Sequence, residues 1–196
     1  FTGALGIYNS YQLRNTVANE INVHGGETEP EYDTIAEALA GEKDAEFTVK
    51  GVVTFIDGKN VYVQDATGGI CLYLTAASGD IALGDTLVGT GKRADYKGLP
   101  ELSGATFEKS EGLTLTAKET TIGALTDADL CTYITIKDLT VTELNGKNTT
   151  LSDASGATVV LYNAVLGDKT LAVEDKIDFT GALGIYNSYQ LRNTVA

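Results

Sequence analysis

From Phe47 to Ile56 the chain is dense in β-branched and aromatic residues, which predicts a long strand. Asp57-Gly58 follows as a tight hairpin turn, because both residues tolerate positive φ. Val61-Tyr62-Val63-Gln64 then alternates apolar and polar positions, the period of a half-buried strand. A second turn falls at Asp65 to Gly69, and a third strand at Ile70 to Leu74. Leu83-Gly84-Asp85 turns into a strand over Thr86 to Thr90; Tyr96 to Pro100 breaks the pattern before a last strand around Glu101 to Glu108. The same plan returns at Tyr133 to Leu144, Thr149 to Ser152, Val159 to Tyr162, Lys176 to Thr180 and from Tyr189 onward. Only Thr34 to Ala40 reads as a helix, with Asp33 or Thr34 as N-cap, and Thr121 to Leu130 is its weaker counterpart. The alternation puts Val52, Val61, Val63, Ile70, Leu72 and Leu87 inside the first set of strands. Leu139, Val141, Leu151, Val160 and Ile177 are expected inside the second.

The recurrence of the plan is a sequence repeat. Asp57-Gly58-Lys59-Asn60 is echoed by Asn145-Gly146-Lys147-Asn148, and Asp65-Ala66-Thr67-Gly68 by Asp153-Ala154-Ser155-Gly156. Asp85, Thr90, Gly91 and Tyr96 return as Asp175, Thr180, Gly181 and Tyr186. A second repeat has no changes at all: residues 1–18, FTGALGIYNSYQLRNTVA, recur as residues 179–196. That segment is the closing part of the second domain, so its first copy reads as closing strands of a preceding domain of the same type. The predicted organisation is therefore closing strands over 1–26, an acidic linker over 27–33, a first domain over 34–116 and a second over 117–196. Two origins remain open: a window on a longer array of near-identical units, or a duplicated segment that pairs outside its own domain. In either case Leu5, Ile7, Tyr8, Tyr11, Leu13 and Val17 are the residues expected to make the assembly contact, by completing a barrel.

Five short strands with the first long and bent suit a small closed barrel of the OB type, which hides its sheet edges. The expected fold class is all-β: two tandem OB-fold-like five-stranded barrels, each with a short helix. The segments TIAEAL, GVVT, DGKNVYVQDATGG and YKGLPEL together resemble the OB-fold domains of bacterial secreted and cell-surface proteins. The likeness is closest over residues 34–108 and weaker over 121–196, where DASGA stands for DATGG and YNSYQL for YKGLPEL. Some of those domains sit beside extracellular nucleases and phosphoesterases. The resemblance thus implies an extracellular or cell-surface location, with any catalysis belonging to neighbouring domains.

Composition narrows the function. The net charge of −13 disfavours a phosphate backbone, so the expectation is no nucleic-acid partner. No apolar run approaches the roughly 18 residues that span a bilayer, and a chain without methionine is expected to lack its natural start. Cys71 and Cys131 are open to a disulfide or to two buried thiols, and a lone His24 makes a zinc site or a histidine-based triad improbable. No cofactor, metal or catalytic residue is expected.

Asp65-Ala66-Thr67-Gly68 and Asp153-Ala154-Ser155-Gly156 offer calcium-like oxygens, but with one carboxylate each they read better as Asp-stabilised turns. Tyr62, Tyr73 and Tyr96 are the candidate ligand residues, since an aromatic OB face stacks bases or sugars; for Tyr62 and Tyr73 packing against the helix or the adjacent domain is the favoured reading. The counterparts of Tyr62 and Tyr73 are taken as Thr150 and Leu161. Lys92, Arg93 and Lys97 read as a solvated basic loop. The chain is expected to be a non-enzymatic structural protein that partners itself in a fibre, stalk or filament. The alternatives are a module binding a glycan or single-stranded nucleic acid, and an accessory domain of a surface hydrolase.

Overall fold

The computed structural model describes residues 4–7, 11–14 and 31–194. Tyr8, Val17, His24 and residues 27–30 of the expected linker lie outside the described residues. The chain divides into two compact units, Phe1–Glu31 and Tyr32–Ala196.

The first unit contains one antiparallel hairpin, β1 (Ala4–Ile7) with β2 (Tyr11–Arg14). It forms a two-stranded sheet of its own.

The second unit opens with α1 (Ile35–Ala40). Thr34 caps it: its Oγ1 accepts from Glu37 N–H at 3.2 Å, and the Glu37 carboxylate accepts from Thr34 N–H at 2.8 Å. Five strands follow: β3 (Glu46–Asp57), β4 (Asn60–Gln64), β5 (Gly69–Leu74), β6 (Thr86–Tyr96) and β7 (Leu99–Ser110). They close into a barrel in the order β3-β4-β5-β7-β6, antiparallel except for the β5–β7 pair. Pro100 does not break β7; it pairs with Asp95 next to the two-residue turn Lys97-Gly98. Both turn residues have positive φ, 53° and 92°, the geometry of a tight hairpin.

The second barrel repeats the order. A short flap, β8 (Lys118–Glu119), lies parallel to β9 (Tyr133–Asn145). β10 (Asn148–Ser152), β11 (Thr158–Tyr162), β12 (Lys176–Ile185) and β13 (Tyr189–Arg192) complete the sheet β10-β11-β13-β12-β9-β8. β10 also pairs with β9, so the ladder of five strands returns on itself. Small details recur: Thr48 and Thr90 hydroxyls meet at 2.9 Å in the first barrel, Thr135 and Thr180 at 2.9 Å in the second. The stretch expected as a weak helix near Thr121 is instead two short 3-10 turns, Ile122–Ala124 and Asp127–Asp129.

The chain is thus all-β, with tandem OB-like barrels. All six residues expected inside the first barrel are buried. In the second, Leu139, Val141 and Leu151 are buried, but Val160 and Ile177 are only half-buried. Val160 pairs with Thr150 between Val159 and Leu161, which take the inward positions. Ile177 precedes a register shift, and Phe179 beyond it fills the core.

Candidate functional site

The two barrels meet through a small dry patch. Phe55, Tyr62, Cys71 and Leu99 of the first pack with Cys131 and Ala182 of the second, none more than 6% exposed. Tyr62 therefore does not lie on a polar face; the second barrel covers it. Its phenol is pushed far up in pKa by burial, with Cys131 and Cys71 adding to this, and stays neutral. Cys71 and Cys131 are both free buried thiols.

Polar contacts rim the patch. Thr54 Oγ1 donates to the Cys131 carbonyl at 2.7 Å, and Tyr133 N–H donates to Gln64 Oε1 at 2.6 Å. At the other end Ile56 N–H donates to Thr194 Oγ1 at 3.1 Å, and Asn187 N–H to the Lys97 carbonyl at 3.3 Å. Glycines allow the approach. A Cβ on Gly98 would stand 3.2 Å from Ile185 Cδ1, and one on Gly184 3.0 Å from the Tyr62 hydroxyl.

Beside this patch the barrels leave a groove of about 430 Å³. The first barrel contributes Phe55, Asp57, Asn60, Tyr62, Tyr96 and Leu99, largely from the ends of its β3–β4 and β6–β7 hairpins. The second contributes Tyr162, Ile185, Tyr186, Gln190 and Arg192 from β11 and the β12–β13 hairpin. Tyr96 and Tyr186 are about half exposed and face each other across the mouth, ring centroids 6.5 Å apart and tilted 49°. Deeper in, Phe55 and Tyr62 lie 5.0 Å apart. The Arg192 guanidinium sits 4.4 Å over the Tyr162 ring and donates to Gln190 Oε1 at 2.8 Å. Its Nε is buried without a hydrogen-bond partner, an unusual state for a buried donor.

The candidate tyrosines separate accordingly. Tyr62 and Tyr96 line the groove; Tyr73, 41% exposed and paired with Asn60 across the β4–β5 ladder, does not. Tyr162 is a residue that spacing hid. Asn60 pairs with Tyr73 and Asn148 with Tyr162, so the counterpart of Tyr73 is Tyr162 and not Leu161. The turn between β10 and β11 is one residue longer, which displaces a constant offset by one. Tyr186 was visible as the return of Tyr96, but that two equivalent turns would meet across an interface was not.

Asp65 forms the expected turn and does more. Its Oδ1 accepts from Thr67 N–H at 2.7 Å, Thr67 Oγ1 at 2.6 Å and Gly68 N–H at 3.0 Å. Its Oδ2 accepts from Ile35 N–H at 2.9 Å, tying the start of α1 to the barrel. Asp153 makes the same turn, accepting from Ser155 N–H at 2.9 Å, and its carboxylate is also stabilised by the Ile122 backbone at the start of the first 3-10 turn. Arg93 is not solvated: it is 8% exposed and pairs with Asp95 at 2.8 Å. Among the described residues no helix is long and apolar enough to cross a membrane.

No protein-family model matches the chain. No curated protein matches it either. Among solved structures it is similar to a replication protein A heterotrimer bound to ssDNA, at 13% identity and a TM-score of 0.32, covering 79% of this chain and 58% of that one. The chain spans less than two thirds of that neighbour's length, 58%. One expectation is corrected here. Nucleic acid was set aside as a partner on net charge, a property of the whole chain; the similar structure is an ssDNA complex, and the local geometry here, Arg192 over Tyr162 beside the Tyr96–Tyr186 ring pair, withdraws that exclusion.

Proposed function

We propose that the chain is a non-enzymatic binding module of a surface-exposed protein, and that a glycan is held in the groove between its two barrels. The observation that carries this reading is the groove itself, with tyrosines from both barrels at its mouth and Asp57, Asn60, Gln190 and Arg192 among its walls. A sugar ring offers an apolar face to stack on tyrosine and a rim of hydroxyls that both donate and accept. The walls answer with a carboxylate, two amides and a guanidinium. A volume of about 430 Å³ lies in the usual range for small-ligand sites and suits one or two rings. The net charge of −13 weighs toward an uncharged polymer.

Single-stranded nucleic acid is the second reading, and Arg192 favours it. A guanidinium stacked on Tyr162 at the groove wall is a ready phosphate contact beside rings that stack bases.

A panel of soluble oligosaccharides and short ssDNA, titrated while tyrosine fluorescence is followed, tests both; the chain has no tryptophan to mask the signal. Saturable oligosaccharide binding, weakened by Tyr96→Ala and Tyr186→Ala, is the expected result. Each lost ring contact should cost about 0.5–1.5 kcal/mol, a factor of roughly 2 to 12. Binding of ssDNA alone, lost in Arg192→Ala, moves the assignment to the second reading; binding of neither discards the groove as a site.

A fibre or stalk built from repeats would use a different surface and is compatible with a groove on every unit. Its support is the sequence repeat and the hairpin geometry that follows from it.

A further inference from the structure

The hairpin β1–β2 is the hairpin β12–β13 made twice. Residues 1–18 and 179–196 have one sequence. The pairing is also one: Ala4↔Arg14, Leu5↔Leu13, Gly6↔Gln12 and Ile7↔Tyr11 match Ala182↔Arg192, Leu183↔Leu191, Gly184↔Gln190 and Ile185↔Tyr189, each displaced by 182 − 4 = 178.

Their surroundings differ. The later copy is part of the second barrel: β12 pairs with β9 and β13 with β11, and Leu183 and Leu191 are 0% exposed. The earlier copy is a two-stranded sheet. A lone hairpin is marginal in water, and its free edges invite a further strand. Among the described residues, one strand pair thus exists once as a barrel's closing element and once, over 4–7 and 11–14, as a two-stranded hairpin with the same register.

We infer that β1–β2 is a donor, and that its acceptor is the second barrel of another copy of this chain, where it takes the place of β12–β13. Strand donation of this kind draws its affinity from main-chain ladders and its specificity from side chains that fill the core. Here specificity is assured, because donor and resident element are identical. Identity also makes the exchange nearly neutral, so the resident hairpin, tethered at high effective concentration, keeps its own barrel closed until it is weakened. A donor at one part of the chain and an acceptor at another make a heterologous contact, which propagates head to tail. The inference does not rest on the groove or its ligand.

The test leaves the chain at full length and disables one hairpin at a time. Leu183→Asp with Leu191→Asp puts two carboxylates into the second core and should expel the resident hairpin. The intact β1–β2 of a second molecule should then close the barrel. In sedimentation velocity the mass should rise with concentration beyond that of a dimer, and the circular-dichroism strand signal should be kept. An excess of free peptide of residues 1–18 should return the material to single chains. Leu5→Asp with Leu13→Asp should remain monomeric and folded. The fourfold variant should neither polymerise nor regain the second barrel. Three results overturn the inference: a double variant that stays monomeric with its second barrel unfolded, one that stays monomeric with that barrel closed by its own β1–β2, or a fourfold variant that associates as readily as the double one.

Discussion

Gly69 in the first barrel lies so close to Cys131 in the second that a Cβ there would stand 2.6 Å from the Cys131 carbonyl carbon. The Leu130 carbonyl oxygen and Thr132 nitrogen would be 2.5 Å and 2.8 Å away. These are backbone atoms, and backbone cannot swing aside as a side-chain end can. Gly69→Ala should therefore push the barrels apart, at about 1–3 kcal/mol, the usual cost of overpacking. Calorimetry should show the main transition moving down and losing cooperativity, as the barrels cease to unfold together. A single unshifted transition would refute the contact.

The same contact shields the thiols. Cys71 and Cys131 are 0% exposed, and burial pushes both pKa values up, with Glu101 next for Cys71 and Cys71 next for Cys131. A thiol held protonated and covered is a poor nucleophile. A disulfide-exchange reagent should titrate no thiol in the native protein and two in denaturant. Gly69→Ala should speed the native reaction, and rapid reaction of the unaltered chain would argue against this burial.

Much of the first barrel was legible, and for physical reasons. Val61 and Val63 follow the two-residue period, Asp57-Gly58 marks its turn, and Thr34 with Glu37 announces a helix start. What could not be read was anything that depends on a second body. Tyr62 stands between Asn60 and Gln64, and its sequence offered packing against either the helix or the adjacent domain; that the second barrel covers it is set by tertiary packing. Val160 was misplaced, and Leu161 taken for Tyr162 as the counterpart of Tyr73, because one added residue in the β10–β11 turn inverts the faces beyond it. Arg192 was unreadable as part of a groove, since its partners Tyr162 and Gln190 and the facing Tyr96 are set by tertiary packing.

Asp65 and its repeat Asp153 offer a matched comparison. Asp65 ties down the α-helix through Ile35 N–H at 2.9 Å, whereas Asp153 faces only the Ile122 backbone at the start of a 3-10 turn. Asp65→Ala should cost about 1–2 kcal/mol, in the range of a lost helix cap, and should raise amide exchange within Ile35–Ala40. Asp153→Ala should cost less and leave those amides protected. Amide exchange within Ile35–Ala40 raised no more by Asp65→Ala than by Asp153→Ala would show that the helix tie contributes nothing.

Asp129 makes stability depend on acid. Burial by itself would raise its pKa, but Lys118 at 2.7 Å and the N–H and hydroxyl of Thr126 at 3.0 and 2.9 Å hold it below the usual value. A depressed carboxyl stabilises the fold above its unfolded pKa, about 3.9, and loses that contribution as pH falls through the folded value. Asp129→Ala should thus be about 1–3 kcal/mol less stable than the parent at pH 7 in urea unfolding. The gap should shrink below about pH 4. A gap that stays constant down to pH 2 would remove the ionic origin.

The second barrel carries Thr158 at the position that corresponds to Gly69, paired with Ser152 as Gly69 is paired with Gln64. The close approach that welds the first barrel to the second therefore cannot be copied from the second to any barrel that follows. The pair has a front and a back. In a string of such units the rigid segment is the couplet and not the bead. Bending and shear would be taken up at alternate joints, giving a chain whose links are twice as long as its domains.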